Sequence, residues 1–82
     1  MVSMASDSLG RRLLLARKKR GLTMLALGNK AGLSASTINH IEKGRQSPAA
    51  DTTERLARAL EVDPCWLAYG SGVTPEWTQR KS

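Results

Sequence analysis

At 82 residues the chain is long enough for one modest domain, and with 40% hydrophobic residues, 4% aromatics and no Phe its core must be aliphatic. That composition favours packed helices over a β-sandwich, and one Cys (Cys65) with one His (His40) leaves neither an internal disulfide nor a metal quartet. The charge of +6 is concentrated early: residues 9–45 hold nine bases and only Glu42 as an acid (9 − 1 = +8), residues 46–82 hold four bases and five acids (4 − 5 = −1), and Asp7 supplies the rest.

Such asymmetry points to a polyanion partner or to a solvated basic face. In chain order, MVSMASD (residues 1–7) reads as a flexible arm. It has neither a basic start nor an apolar run, so no secretory leader is expected. The longest apolar run, Leu13–Ala16, is far too short to span a bilayer, and a cytoplasmic protein without a membrane role is expected. Residues 8–72 read as one domain and 73–82 as a polar tail.

Ser6, Asp7 or Ser8 can cap a first helix, about Leu9 to Arg20. Leu9, Leu13, Ala16 and Arg17 share one face of it, with Leu14 and Leu15 beside them. Arg17, Lys18, Lys19 and Arg20 crowd its last turn, where the helix dipole favours cations, and Gly21 ends it. Thr23 caps a second helix, about Met24 to Ala31, with Leu25, Leu27 and Ala31 as its apolar side. Gly28 within it costs roughly 1 kcal/mol relative to Ala and signals the close approach of another helix.

Gly32 supplies a turn, and Leu33 follows as an anchor. Ser34 caps a third helix, about Ala35 to Lys43, which buries Ile38 and Ile41 and stops at Gly44. Ser47 or Asp51 caps a fourth helix that reaches Leu60, with Leu56, Ala59 and Leu60 inward. Asp63 caps a short fifth helix, Pro64 to Tyr69, in which Trp66 and Leu67 provide bulk. Gly70-Ser71-Gly72 breaks it, and no segment reads as a strand.

A small residue at Gly28, a turn glycine at Gly32, and branched apolar residues at Ile38 and Ile41 form the spacing of a helix-turn-helix. On these residues LGRRLLLARKKRGLTMLALGNKAGLSASTINHIEKGRQSP, with LARALEVDPCWLAYG, resembles the Xre/Cro/lambda-repressor family over about Leu9 to Gly72. The resemblance implies an all-α, five-helix lambda-repressor-like domain whose third helix, 35–43, enters the major groove of double-stranded DNA.

Its base-contacting residues would be Ala35, Ser36, Thr37, Asn39 and His40. Ala35 and the Thr37 methyl could meet thymine methyls, Asn39 could pair an adenine, and His40 could donate to a guanine. Phosphates would meet Met24 at the start of helix two, Lys43, Arg45, Arg11 and Lys18, with Arg12 in the same group. Many family members carry Gln where Met24 and Ala35 stand here, which shifts base reading towards Ser36, Asn39 and His40 or towards DNA shape. Arg17 and Glu42 match the family's internal ion pair.

The implied function is a sequence-specific transcriptional regulator, a repressor acting as a homodimer on an inverted repeat. Trp66, Leu67, Tyr69 and Val73 would form the dimer interface, with Cys65 nearby as a small apolar residue. An antitoxin-type protein that captures a partner protein through Gly70–Ser82 is the alternative. No nucleophile–base pair, metal cluster or phosphate-cradling glycine loop is present, so neither an enzyme nor a cofactor is expected.

Overall fold

The computed structural model describes residues 8–78, so the expected arm (1–7) and the end of the tail (79–82) lie outside the described residues. Five α-helices follow one another: α1 Leu9–Lys19, α2 Met24–Ala31, α3 Ala35–Glu42, α4 Ala50–Leu60 and α5 Pro64–Tyr69. A single 3-10 turn, Glu76–Thr78, comes last, and no strand occurs among the described residues. No helix is long and apolar enough to cross a membrane.

Four of the five helices start on a side-chain cap. Ser8, Thr23, Ser34 and Asp63 accept bonds from the backbone N–H groups of Arg11, Ala26, Thr37 and Cys65, each satisfying a donor that has no partner within the helix. The start of α4 differs from the expected Ser47 or Asp51. Ala49 holds the cap position in extended backbone (ψ 165°) and makes no side-chain bond. Ser47 precedes Pro48, which restricts its backbone and leaves its hydroxyl two residues too early. Asp51 falls inside the first turn and pairs with Arg55 at 3.3 Å.

Leu13, Leu27, Ile38, Ile41, Leu56, Leu60 and Leu67 are fully buried, so every helix contributes to one aliphatic core. On α4, Ala57 is buried more deeply than Ala59. Leu25 is 62% exposed, not part of the apolar side of α2. At 100° per residue it lies about 200° from Leu27, on the opposite face. Leu15 is exposed for the same reason, two residues from Leu13.

Two glycines mark backbone contacts. A Cβ on Gly10 would lie 2.6 Å from the Ile41 carbonyl oxygen and 2.7 Å from that of Glu42, so α1 rests directly on the end of α3. A Cβ on Gly28 would collide with the Leu33 carbonyl oxygen. The close approach at Gly28 is therefore made by the turn between α2 and α3, not by a crossing helix. Gly32 closes α2 with φ 75°, the left-handed backbone this turn requires.

Three arginines of the first helix and its cap, Arg12, Arg17 and Arg20, bond to the other helices. Arg12 donates to the carbonyls of Leu67 (3.0 Å) and Ala68 (3.1 Å) on α5. Arg17 donates to both carboxylate oxygens of Glu42 on α3, and Arg20 donates to the Leu60 carbonyl at the end of α4 (2.9 Å). Arg12, Leu13, Ala16, Arg17 and Arg20 occupy one arc of the helix, and Arg11 and Lys18 occupy the opposite one.

The described part of the expected polar tail packs back on the domain. Val73 N–H donates to Asp63, a Cβ on Gly72 would touch Cys65, and Trp77 meets Trp66 edge-to-face at 5.7 Å.

Candidate nucleic-acid interface

The exposed arc of α3 is set by the buried one. Ile38 and Ile41 point into the core, so at 100° per residue Ser36, Asn39, His40 and Lys43 point away from it, with Ala35 and Thr37 at its two flanks. Ser36 and Lys43 are exposed, and Ala35, Thr37, Asn39 and His40 are half-buried. The residues at the start of this arc are short, so a surface facing α3 can come near its backbone.

Ser34 adds a constraint on Thr37. Its hydroxyl accepts the Thr37 N–H at 3.0 Å and lies 2.9 Å from the Thr37 hydroxyl. The Thr37 hydroxyl is thereby engaged at the cap, and the methyl is the part of the side chain left without a polar partner. After α3, the Arg45 N–H donates to the His40 carbonyl and Gly44 turns the chain. This presents Lys43 and Arg45 as exposed cations on either side of the turn.

Met24 opens α2, and its side chain packs against the core. What it can offer an anion is its backbone N–H, one of the first-turn donors with no intrahelical acceptor, aided by the positive end of the helix dipole. Arg11 and Lys18 are exposed on the outer arc of α1. Arg12, grouped with them from sequence, is 6% exposed and bonded to α5, so it is withdrawn from the phosphate group.

The Arg17–Glu42 pair forms with contacts of 2.6 and 3.0 Å, and Arg17 also donates to the Leu22 carbonyl at 3.0 Å. Both side chains are largely sealed from water. The pair holds the end of the exposed helix onto α1, and it leaves Arg17 unable to reach a ligand.

The four expected interface residues divide. Trp66 and Leu67 are buried inside the chain, because α5 turns that face onto the core, and they have no surface to offer a second copy. Tyr69 and Val73 are exposed, as is Cys65. Leu9, Pro64, Cys65, Ala68 and Tyr69 line a shallow, mainly apolar groove where the start of α1 meets α5. Asp63, which caps α5, has its carboxyl held below the usual carboxylate value by the N–H groups of Val73 and Cys65. Among the described residues, no group of three or more His, Cys, Asp or Glu is placed to hold a metal ion.

Two features here were missed in the sequence: the capping roles of Arg12 and Arg20. The available signal was their position on the same arc of α1 as Leu13, the arc that faces the other helices.

The Helix-turn-helix family model (HTH_3) matches residues 13–67. The HTH-type transcriptional repressor RghR of Bacillus subtilis (strain 168) is 35% identical over 71 residues, covering 85% of this chain and 53% of the relative. The immunity repressor protein of Bacillus phage phi105 is 40% identical over 55 residues, covering 67% of this chain and 38% of the relative. The chain thus spans about half or less of the length of these two relatives. Among solved structures, the P22 c2 repressor in complex with a synthetic operator superposes with a TM-score of 0.75 at 30% identity, over 78% of this chain and 97% of that one.

Proposed function

This chain belongs to the Cro/C1-type helix-turn-helix family of DNA-binding transcription regulators, and on that premise we propose that it is a sequence-specific repressor that acts as a homodimer on an inverted-repeat operator. The observation that carries the reading is the arc of α3. Ser36, Asn39 and His40 form a short polar row with Lys43 and Arg45 at its end, and two backbone contacts with α1 and the turn hold the helix from behind.

In this reading α3 lies in the major groove. Asn39 offers an amide that matches the N6/N7 edge of adenine, His40 donates to guanine, Ser36 bonds either, and Ala35 and the Thr37 methyl meet thymine methyls. Phosphates are met by Lys43, Arg45, Arg11, Lys18 and the N–H groups at Met24. The exposed Tyr69 and Val73, with the apolar groove beside them, supply the contact between copies. A two-fold pair places its recognition helices about one DNA turn apart, roughly 34 Å, and two half-sites give discrimination that one small module lacks. Such a protein works in the cytoplasm, where its operator is.

The test is selection from a random duplex DNA pool at near-physiological salt. Enrichment of an inverted repeat supports the reading, and substitution of Asn39 or His40 by Ala should then relax preference at one base pair per half-site, by about 1–3 kcal/mol each. Binding without enrichment, vanishing as salt rises, would overturn base reading. It would turn attention to capture of a partner protein.

A further inference from the structure

We infer that α1 is a strut between the recognition helix and the dimer surface, and that Arg12 is its positioning residue, setting the half-site spacing without touching DNA. The inference rests on the homodimer reading above. It deepens that reading by naming what fixes the angle between its two parts.

The residues of α1 grip two other elements: Gly10 and Arg17 hold α3, and Arg12, between them in the chain, holds α5. Towards α3, the Gly10 backbone lies against the Ile41 and Glu42 carbonyls, closely enough that a Cβ there would be within 2.6–2.7 Å of their oxygens. Arg17 locks the same end of α3 through both oxygens of Glu42. Towards α5, the buried Arg12 guanidinium donates to the carbonyls of Leu67 and Ala68. These lie in the last turn of α5, whose carbonyls accept no N–H from within the helix.

Arg12 therefore caps the short helix that carries Tyr69. A six-residue helix has little stiffness of its own, and α5 packs only on α1 and α4 among its larger contacts. The planar guanidinium, bonding two successive carbonyls, fixes direction as well as distance. A Lys would hold one carbonyl as a point charge and let the helix pivot.

The lever is long enough to matter. The molecule is 21–32 Å across. A pivot of roughly 10° at one edge moves the other by roughly 4 Å, close to the 3.4 Å step between base pairs. In a two-fold dimer both copies shift. Loosening the Arg12 contact with α5 should therefore blur the preferred distance between half-sites while each recognition helix still reads its own half-site.

The test uses the full chain, as parent, Arg12→Gln and Arg12→Lys, on inverted repeats whose spacing is varied one base pair at a time, with an isolated half-site as control. Circular dichroism melts establish that each variant is folded at the assay temperature. The parent should show one spacing optimum. Arg12→Gln should keep half-site affinity within about twofold, yet lose about tenfold at the parental optimum and flatten or shift the profile. Arg12→Lys should fall between.

A folded Arg12→Gln with the parental profile would overturn the inference and leave the dimer reading standing. Equal losses on half-site and full site would also overturn it, since they would mark Arg12 as a general stabiliser. If Arg12→Gln does not fold, Arg12→Lys is scored by the same criteria. A parent that binds no inverted repeat better than a half-site would refute the dimer reading, and the inference with it.

Discussion

At Glu42, one carboxylate accepts two bonds from Arg17 in a site that is nearly closed to water. Forming such a pair contributes little, because desolvating both charges offsets most of the attraction; removing one partner is what costs. Glu42→Gln should leave the Arg17 guanidinium with a neutral partner and the Leu22 carbonyl, and destabilise the fold by about 3 kcal/mol. For a domain of this size that corresponds to a fall in Tm of more than about 10 °C. A thermal melt in which Glu42→Gln matches the parent would refute the buried-pair account. The pairing itself was legible, because Arg17 and Glu42 stand at the family's positions. The capping by Arg12 and Arg20 was not. Their acceptors are backbone carbonyls of α5 and α4, supplied by packing 40–56 residues away.

At the helix starts, side-chain caps satisfy donors in the first turn. The caps at Thr23, Ser34 and Asp63 were readable because the residue type and the geometry required agree. The start of α4 was not readable, because its cap position holds Ala49, which has no side-chain acceptor, between two plausible but misplaced candidates. Ala49→Ser should therefore supply a missing bond and stabilise the domain by about 1 kcal/mol. Its Tm should rise by about 4–8 °C, and an unchanged melt would mean that the first-turn N–H groups gain nothing from a local acceptor.

At α5 the Asp63 carboxylate joins the cap to the following segment by accepting from both Cys65 and Val73. Its folded pKa is lowered, chiefly by the Val73 N–H and then by that of Cys65. Its contribution is thus fully present above the ordinary carboxylate pKa of about 4 and is lost as pH falls through the lowered folded value. Trp77, resting on Trp66, should report that loss as a fluorescence change in acid. Asp63→Asn should remove that component of the titration, and an identical acid profile in parent and variant would separate the segment from Asp63. The Trp66–Trp77 contact could not be read beforehand, since a lone Trp in a polar tail has no periodicity to place it.

Across the whole molecule, the uneven charge divides between arginines bonded inside the fold and cations left on the surface. Nine basic residues lie between positions 9 and 45. Arg12, Arg17 and Arg20 bond to α5, α3 and α4, which leaves six. Of these, Arg11, Lys18, Lys43 and Arg45 are the ones proposed to meet phosphate. Each phosphate neutralised changes the slope of log Kobs against log[salt] by about 0.9, so four contacts predict about −4 per protomer, all six about −5, and all nine about −8. Titration of the selected operator at several salt concentrations measures that slope, doubled for a dimer. A value near −4 per protomer fits a chain whose inner arginines hold its helices together. Lys43→Ala should then reduce it by about 1. A value near −8 would require the buried Arg12 and Arg17 to leave their carbonyl and carboxylate partners on binding, and DNA would have to reorganise the core rather than dock on a preformed face.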